Sequence, residues 1–243
     1  MPTLDRLGLH VARTENRVVR PRDLEYQDAT LALRRLVERG ALRRFAHGYY
    51  LVPPDTHRGV RPWNPQIEAV ALGIAVADYG RDAVALMGIS AARLRGAPPR
   101  ALATAVVAIP KSNRPDLHTE LGTICFVSRD TNRLDLERAR TEVVEGWTTT
   151  PEQTVLDLAA RPSLGGVSPA TASEVITQLA AECDWQLVVR LGTGQRRTAA
   201  LARASWLASA VREVEGAPAR RPVPSLGLRS LGTVGPSGFG VVA

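Results

Sequence analysis

The chain has 243 residues, 44% hydrophobic and 23% charged, with a formal charge of +7 at pH 7. That length suits one or two domains, and the apolar fraction excludes a chain disordered throughout. No apolar run reaches the about eighteen residues a bilayer-spanning helix needs, and the stretch from Ile67 to Val76 is both too short and interrupted by Glu68.

The charge is unevenly spread. Residues 1–62 carry a net +5, residues 63–215 a net −1, and residues 216–243 a net +3. A basic N-terminal module joined to a neutral one is the pattern of a DNA-binding unit attached to a partner unit. Thirty of the 31 basic residues are arginine, with Lys111 the exception. A GC-rich genome explains that usage, so the arginine count alone implies no nucleic-acid role.

Helical spacing predicts a first helix from Leu4 to Thr14, with Leu4, Leu7, Val11 and Ala12 on one face. Val18 and Val19 read as a short strand, and Pro21 to Leu24 as a short positioning helix. Gln27 and Asp28 open the next helix, whose apolar face is Ala29, Ala32, Leu33, Leu36 and Val37. Gly40 stops it, because glycine takes the left-handed cap without steric cost. Leu42 to Phe45 and Tyr49 to Val52 then alternate as a hairpin around Ala46-His47-Gly48. A helix followed at once by a basic hairpin predicts a winged helix-turn-helix over residues 1–54, with the helix in the major groove and the wing along the backbone.

That reading assigns roles to individual side chains. The helix face opposite the core carries Gln27, Thr30, Leu31, Arg34 and Glu38. Gln27 suits two-pronged pairing with adenine, Arg34 with guanine, and Leu31 suits contact with a thymine methyl. Arg35, Arg43, Arg44 and His47 are expected on phosphates, as are Arg20 and Arg22 before the short helix.

Residues 55–64 read as a polar linker with Gly59 and Pro62. Residues 65–215 predict an α+β domain, mainly helical. Its helices are expected at Pro65–Tyr79 (capped by Asn64), Gly88–Leu94, Pro151–Ala160 (capped by Thr150) and Ser168–Cys183. Two more, Trp185–Leu191 and Arg196–Val214, are separated by Gly192 and Gly194. Strands are expected at Ala105–Ile109 and Thr123–Val127, with a weaker one at Thr141–Val144. From Gly216 the sequence turns rich in glycine and proline without periodicity, which predicts a disordered or surface-draped tail.

Catalytic signatures are sparse. Gly88-Ile89-Ser90-Ala91-Ala92 lacks the final glycine of a nucleophile elbow, and no Walker A pattern occurs. A nuclease built on two acids and a lysine needs an acid two residues before Lys111, where Ile109 stands. Asp130, Asp135, Glu137, Glu142 and Glu145 interleave with Arg129, Arg133, Arg138 and Arg140, which reads as a solvated mixed-charge surface. Four histidines without HxxxH or CxxC spacing predict no metal site, and no cofactor is expected. Cys125 and Cys183 lie in apolar patterns and read as buried free thiols of a reducing compartment. With no secretory signal pattern at the N-terminus, a cytoplasmic protein is expected.

The segment LRRLVERGALRRFAHGYYLVP (Leu33 to Pro53) resembles the N-terminal winged helix of AbiEi-type antitoxins of bacterial toxin–antitoxin systems. GISAARLRG (Gly88 to Gly96) and TTPEQTVLDLA (Thr149 to Ala159) resemble segments of that family's antitoxin domain. The resemblance covers about residues 15–210 and is nearest the mycobacterial-type branch. It implies a repressor that binds inverted repeats in its own operon and counteracts a nucleotidyltransferase-like toxin encoded beside it, without catalysis. It makes Gln27, Thr30, Arg34, Arg43 and Arg44 the DNA readers, and transfers no toxin-contacting residue. Double-stranded DNA is the expected partner, bound by a monomer or weak dimer whose copies meet on a palindrome. Two other classes stay open at this point: a regulator with a ligand-sensing domain, which needs an apolar pocket within 65–215, and an enzyme carrying a DNA-binding module.

Overall fold

The computed structural model describes residues 4–25, 27–57, 63–98, 103–111 and 113–214. Among them are eight α-helices and two sheets, a mixed α+β architecture.

The N-terminal elements follow the expected order. Helix α1 (Leu4–Thr14) leads to β1 (Val18–Val19), a 3-10 turn at Pro21–Asp23, α2 (Ala29–Glu38), and a hairpin of β2 (Arg43–Ala46) and β3 (Tyr49–Leu51). At the end of α2, Gly40 has φ +68°. Its N–H donates to the carbonyl of Val37 (2.9 Å) and that of Ala41 to Leu36 (2.9 Å), the paired bonds of a Schellman closure. The strands form an antiparallel sheet in the order β1-β3-β2. Because side chains alternate across a strand, its two faces differ. Val19 and Tyr50 pair and pack with Leu7, Leu33 and Leu36 of the first two helices, while Val18 and Leu51 pair and join Phe45 in a second core.

That second core belongs to the rest of the chain. It includes Val70, Ile74 and Ala75 of α3 (Ile67–Tyr79) and reaches the larger sheet. This sheet is built from β4 (Ala85–Leu86), β5 (Thr104–Ile109), β6 (Leu117–Thr119), β7 (Gly122–Ser128), β8 (Leu136–Arg140) and β9 (Glu145–Thr149). Their order is β6-β7-β5-β4-β9-β8, with β5/β7 and β4/β9 parallel and the other pairs antiparallel. Helix α4 (Ile89–Leu94) lies between β4 and β5 in the chain, and α5 (Pro151–Ala160), α6 (Pro169–Ala180), α7 (Trp185–Gly194) and α8 (Thr198–Val214) follow the last strand. Central strand β5 is covered on both sides. Ala105, Val107 and Ile109 share the α3 core, and Val106 and Ala108 share a core with α4, α5, α6 and α8. Burial on both faces is why its sequence is a continuous apolar run rather than an alternation.

Several boundaries differ from expectation. Helix α3 starts at Ile67 behind Gln66, and Asn64 instead accepts a hydrogen bond from Arg43. Thr141–Val144 is the turn between β8 and β9, not a strand. The Thr141 hydroxyl donates to the carbonyl of Val144 (2.7 Å) and accepts from its N–H (3.0 Å), while Val143 and Val144 are buried. Their apolar character serves docking rather than strand pairing. Helix α7 runs through Gly192 and Gly194 and ends before Gln195. Gly192 is buried there against Leu201, whose Cβ would stand 3.1 Å from an added methyl. Helix α6 stops at Ala180, whose carbonyl accepts from the Trp185 indole. Cys125 and Cys183 are free but only half-buried. Burial, with Asp116 beside one and Glu152 and Glu182 beside the other, raises their thiols to about 11 and about 12. Of the interval 55–64, Asp55–His57 is a 3-10 turn and Trp63 is buried. Residues 58–62 and the 216–243 tail lie outside the described residues. No helix among the described residues is long and apolar enough to cross a membrane.

Candidate nucleic-acid interface

The composition of α2 produces two faces. Ala29, Ala32, Leu33 and Leu36 are buried, and Thr30, Leu31, Arg34, Arg35 and Glu38 are exposed. Gln27 and Asp28 are exposed just before the helix. Leu31 is 46% exposed, an apolar side chain held in the middle of a polar face. Neither Arg34 nor Arg35 forms an ion pair with another described residue, so the outer face offers two unengaged guanidinium groups.

The hairpin adds a second cationic element, anchored to α2 through Leu42 and Tyr50 in the shared core. Arg44 and His47 are exposed at its turn, with Arg44 Nη2 3.3 Å from His47 Nδ1.

The other three predicted arginines are engaged inside the protein. Arg20 holds Asp23 (2.5 Å) and Asp78 (2.6 Å), and is shielded from solvent. Arg22 also reaches Asp78 (2.6 Å) but keeps an outer surface, with its side chain 66% exposed. Arg43 donates to Glu120 (3.0 Å), to the Trp63 carbonyl (2.8 Å) and to Asn64, and lies over the Phe45 ring at 4.8 Å. These contacts give Arg20 and Arg43 structural work that competes with the phosphate contacts expected of them.

Asp78 is the hub that the sequence reading missed. Its carboxylate accepts from Tyr49 (2.6 Å) and pairs with Arg20, Arg22 and Arg114 (2.6 Å), and it is 6% exposed. Burial pushes its pKa up, but the hydrogen bonds from Tyr49 and Arg20 and the charge of Arg114 outweigh that and hold it below the usual value. Arg114 also stacks on Phe126 at 3.8 Å. A carboxylate in the last turn of a helix opposes the helix dipole, and that is the signal in the sequence that compensating cations would be needed.

The interleaved charges after β7 are divided among partners. Glu142 accepts from the Trp63 indole (3.2 Å), Glu145 pairs loosely with Arg138 (3.6 Å), Glu137 with Arg95, and Asp135 accepts from the Thr150 hydroxyl (2.7 Å). No cluster among the described residues has the composition of a metal site. Ser90 is fully buried and accepts from the Val106 N–H (2.8 Å), so it ties α4 to β5.

No family model matches the sequence, and no curated protein matches it. Among solved structures, the chain is similar to the RV2827C protein from Mycobacterium tuberculosis. The TM-score is 0.57 at 21% sequence identity, over 87% of this chain and 78% of that one. The likeness is one of fold, shared with a mycobacterial protein.

Proposed function

We propose that the N-terminal elements form a winged helix-turn-helix in which α2 reads the major groove of double-stranded DNA and the β2–β3 hairpin follows the backbone. The observation that carries this reading is the outer face of α2: Thr30, Leu31, Arg34 and Arg35 are exposed, the two arginines have no described ion-pair partner, and a cationic hairpin tip stands on the same small core. Arg34 with Gln27 supplies base readout, Leu31 the apolar contact, and Arg35, Arg44 and His47 phosphate contacts. Arg22 retains enough exposure to join them.

In this reading the chain is an antitoxin of the AbiEi type that represses its own operon and counteracts a nucleotidyltransferase-like toxin. The segments Gly88–Gly96 and Thr149–Ala159 carry that resemblance. The first is α4 with its flanking residues, and the second is most of α5 with its Thr150 cap accepting from Gln153 N–H (3.3 Å).

Salt-titrated binding to specific and random duplexes separates the roles. Arg34→Gln is expected to lower the ratio of specific to non-specific affinity, by about 1–3 kcal/mol at the base it reads. Arg44→Gln is expected to weaken both duplexes alike and reduce the salt slope by about one. Equal losses on the two duplexes for Arg34→Gln would reject its assignment to a base.

A further inference from the structure

Away from the DNA-reading elements, a cavity of about 220 Å³ opens where β7 ends and α7 meets α8, lined by Ser128, Arg129, Asp130, Arg133, Gln195 and Arg197. Three guanidinium groups face one small space. Asp130, an acid in the lining, forms no ion pair with a described arginine; its carboxylate accepts from the N–H of Asn132 (3.1 Å) as the cap of a short 3-10 turn. Arg197 is already matched below by the buried carboxylate of Asp157 (2.5 Å). Arg129 is the odd one out: its Nε is buried without a hydrogen-bond partner, and the one acid whose charge reaches it is Asp157, already bound to Arg197. Burial first, then the neighbouring charge of Arg197, lowers its pKa against the pull of Asp157, so Arg197 and Arg129 crowd positive charge at the cavity. The frame is fixed, since Gln195 donates to the Arg133 carbonyl (3.0 Å) and exchanges hydrogen bonds with Gln153 of α5.

We propose that this cavity binds a phosphate group, held by Arg129 and Arg133 with Arg197 behind them. Guanidinium forks match tetrahedral oxyanions in both geometry and charge. The volume lies below the about 300–1,000 Å³ of pockets that enclose drug-sized ligands. The site therefore takes inorganic phosphate or the phosphate of a monoester whose remainder stays outside.

The test is thermal unfolding of the full chain with inorganic phosphate titrated against chloride at constant ionic strength, repeated with AMP. A ligand that binds the folded state raises the midpoint saturably. The rise is expected with phosphate in the wild type and in Arg34→Gln, which separates this site from the DNA reading. It is expected to need roughly tenfold more phosphate, or to vanish, in Arg133→Gln and Arg129→Gln. Arg133 is exposed, so its variant folds whatever Arg129 does. A larger rise with AMP at equal concentration assigns the site to a nucleoside monophosphate, and equal rises assign it to the free ion. Equal shifts with phosphate and chloride, or a phosphate effect unchanged in both arginine variants, would mean an adventitious ion only and overturn the proposal.

Discussion

Asp78 shows how one side chain ties the N-terminal helix and hairpin to the body of the molecule. It gathers Arg20 and Arg22 from before α2, Tyr49 from the hairpin and Arg114 from the loop after β5. Removing one partner of a buried ion cluster strands the others, which costs about 3–5 kcal/mol. Asp78→Asn is expected to lose stability of that order near neutral pH. The sign with pH follows from its lowered pKa. The stabilisation is complete above the usual carboxylate value of about 4 and disappears as pH falls through the depressed value in the folded state. The variant and the wild type should therefore converge in acid, measured as urea midpoints across pH. Asp157 and Glu68 work in the opposite direction. Burial raises both against the pull of Arg197 and Arg93, so the stability they contribute is full below the usual value and falls as pH rises past it. A difference between Asp78→Asn and wild type that grew on acidification would contradict the account.

At the scale of elements, the contact between the N-terminal sheet and α3 depends on a glycine. A methyl at Gly73 would stand 2.6 Å from Val143 Cγ1 and 2.8 Å from Val18 Cγ2, and the Gly73 carbonyl accepts from Asn16 Nδ2 (2.9 Å). Gly73→Ala gains about 1 kcal/mol in helix propensity but meets an overpacking cost of about 1–3 kcal/mol. Net destabilisation is expected, partly relieved by adding Val143→Ala; a single variant more stable than wild type would show that the contact is loose. This interface was only half legible in the sequence. The helical periodicities of α1 and α2, the apolar run of β5 and the caps of α5 and α6 placed those elements, because local pattern and burial agree there. Val143 and Val144 read as strand because their burial is tertiary, and the turn they occupy is set by the Thr141 hydroxyl. Strands β8 and β9 were hidden by exposed charged residues such as Glu137 and Arg138 and by Gly146, where an added methyl would stand 3.2 Å from Leu72. At the candidate site, the exposed face of α2 followed from helical spacing alone. The engagement of Arg20 and Arg43 did not, since Asp78 and Glu120 lie more than fifty residues away in sequence.

For the whole molecule, the two cores sharing the N-terminal sheet make the elements of residues 4–51 part of one packed body. The N–H of Arg17 donates to the Val143 carbonyl (3.0 Å), Asn16 bridges to Val144, and Arg81 pairs with Glu15 (2.8 Å). Deleting residues 1–54 would take Val18, Phe45 and Leu51 out of the core that holds Val70 and Ile74 of α3, so DNA binding is better tested by surface substitutions than by truncation. One winged helix makes few base contacts, and strong specificity requires two copies on a palindrome. The most direct measurement is a footprint of the full chain on the DNA upstream of its own gene, beside the Arg34→Gln/Arg35→Gln variant, over a range of salt. The account predicts protection of an inverted repeat that weakens steeply with salt and is lost in the variant. Protection that survives both substitutions, or no protection at any salt, would contradict α2 as the reading helix.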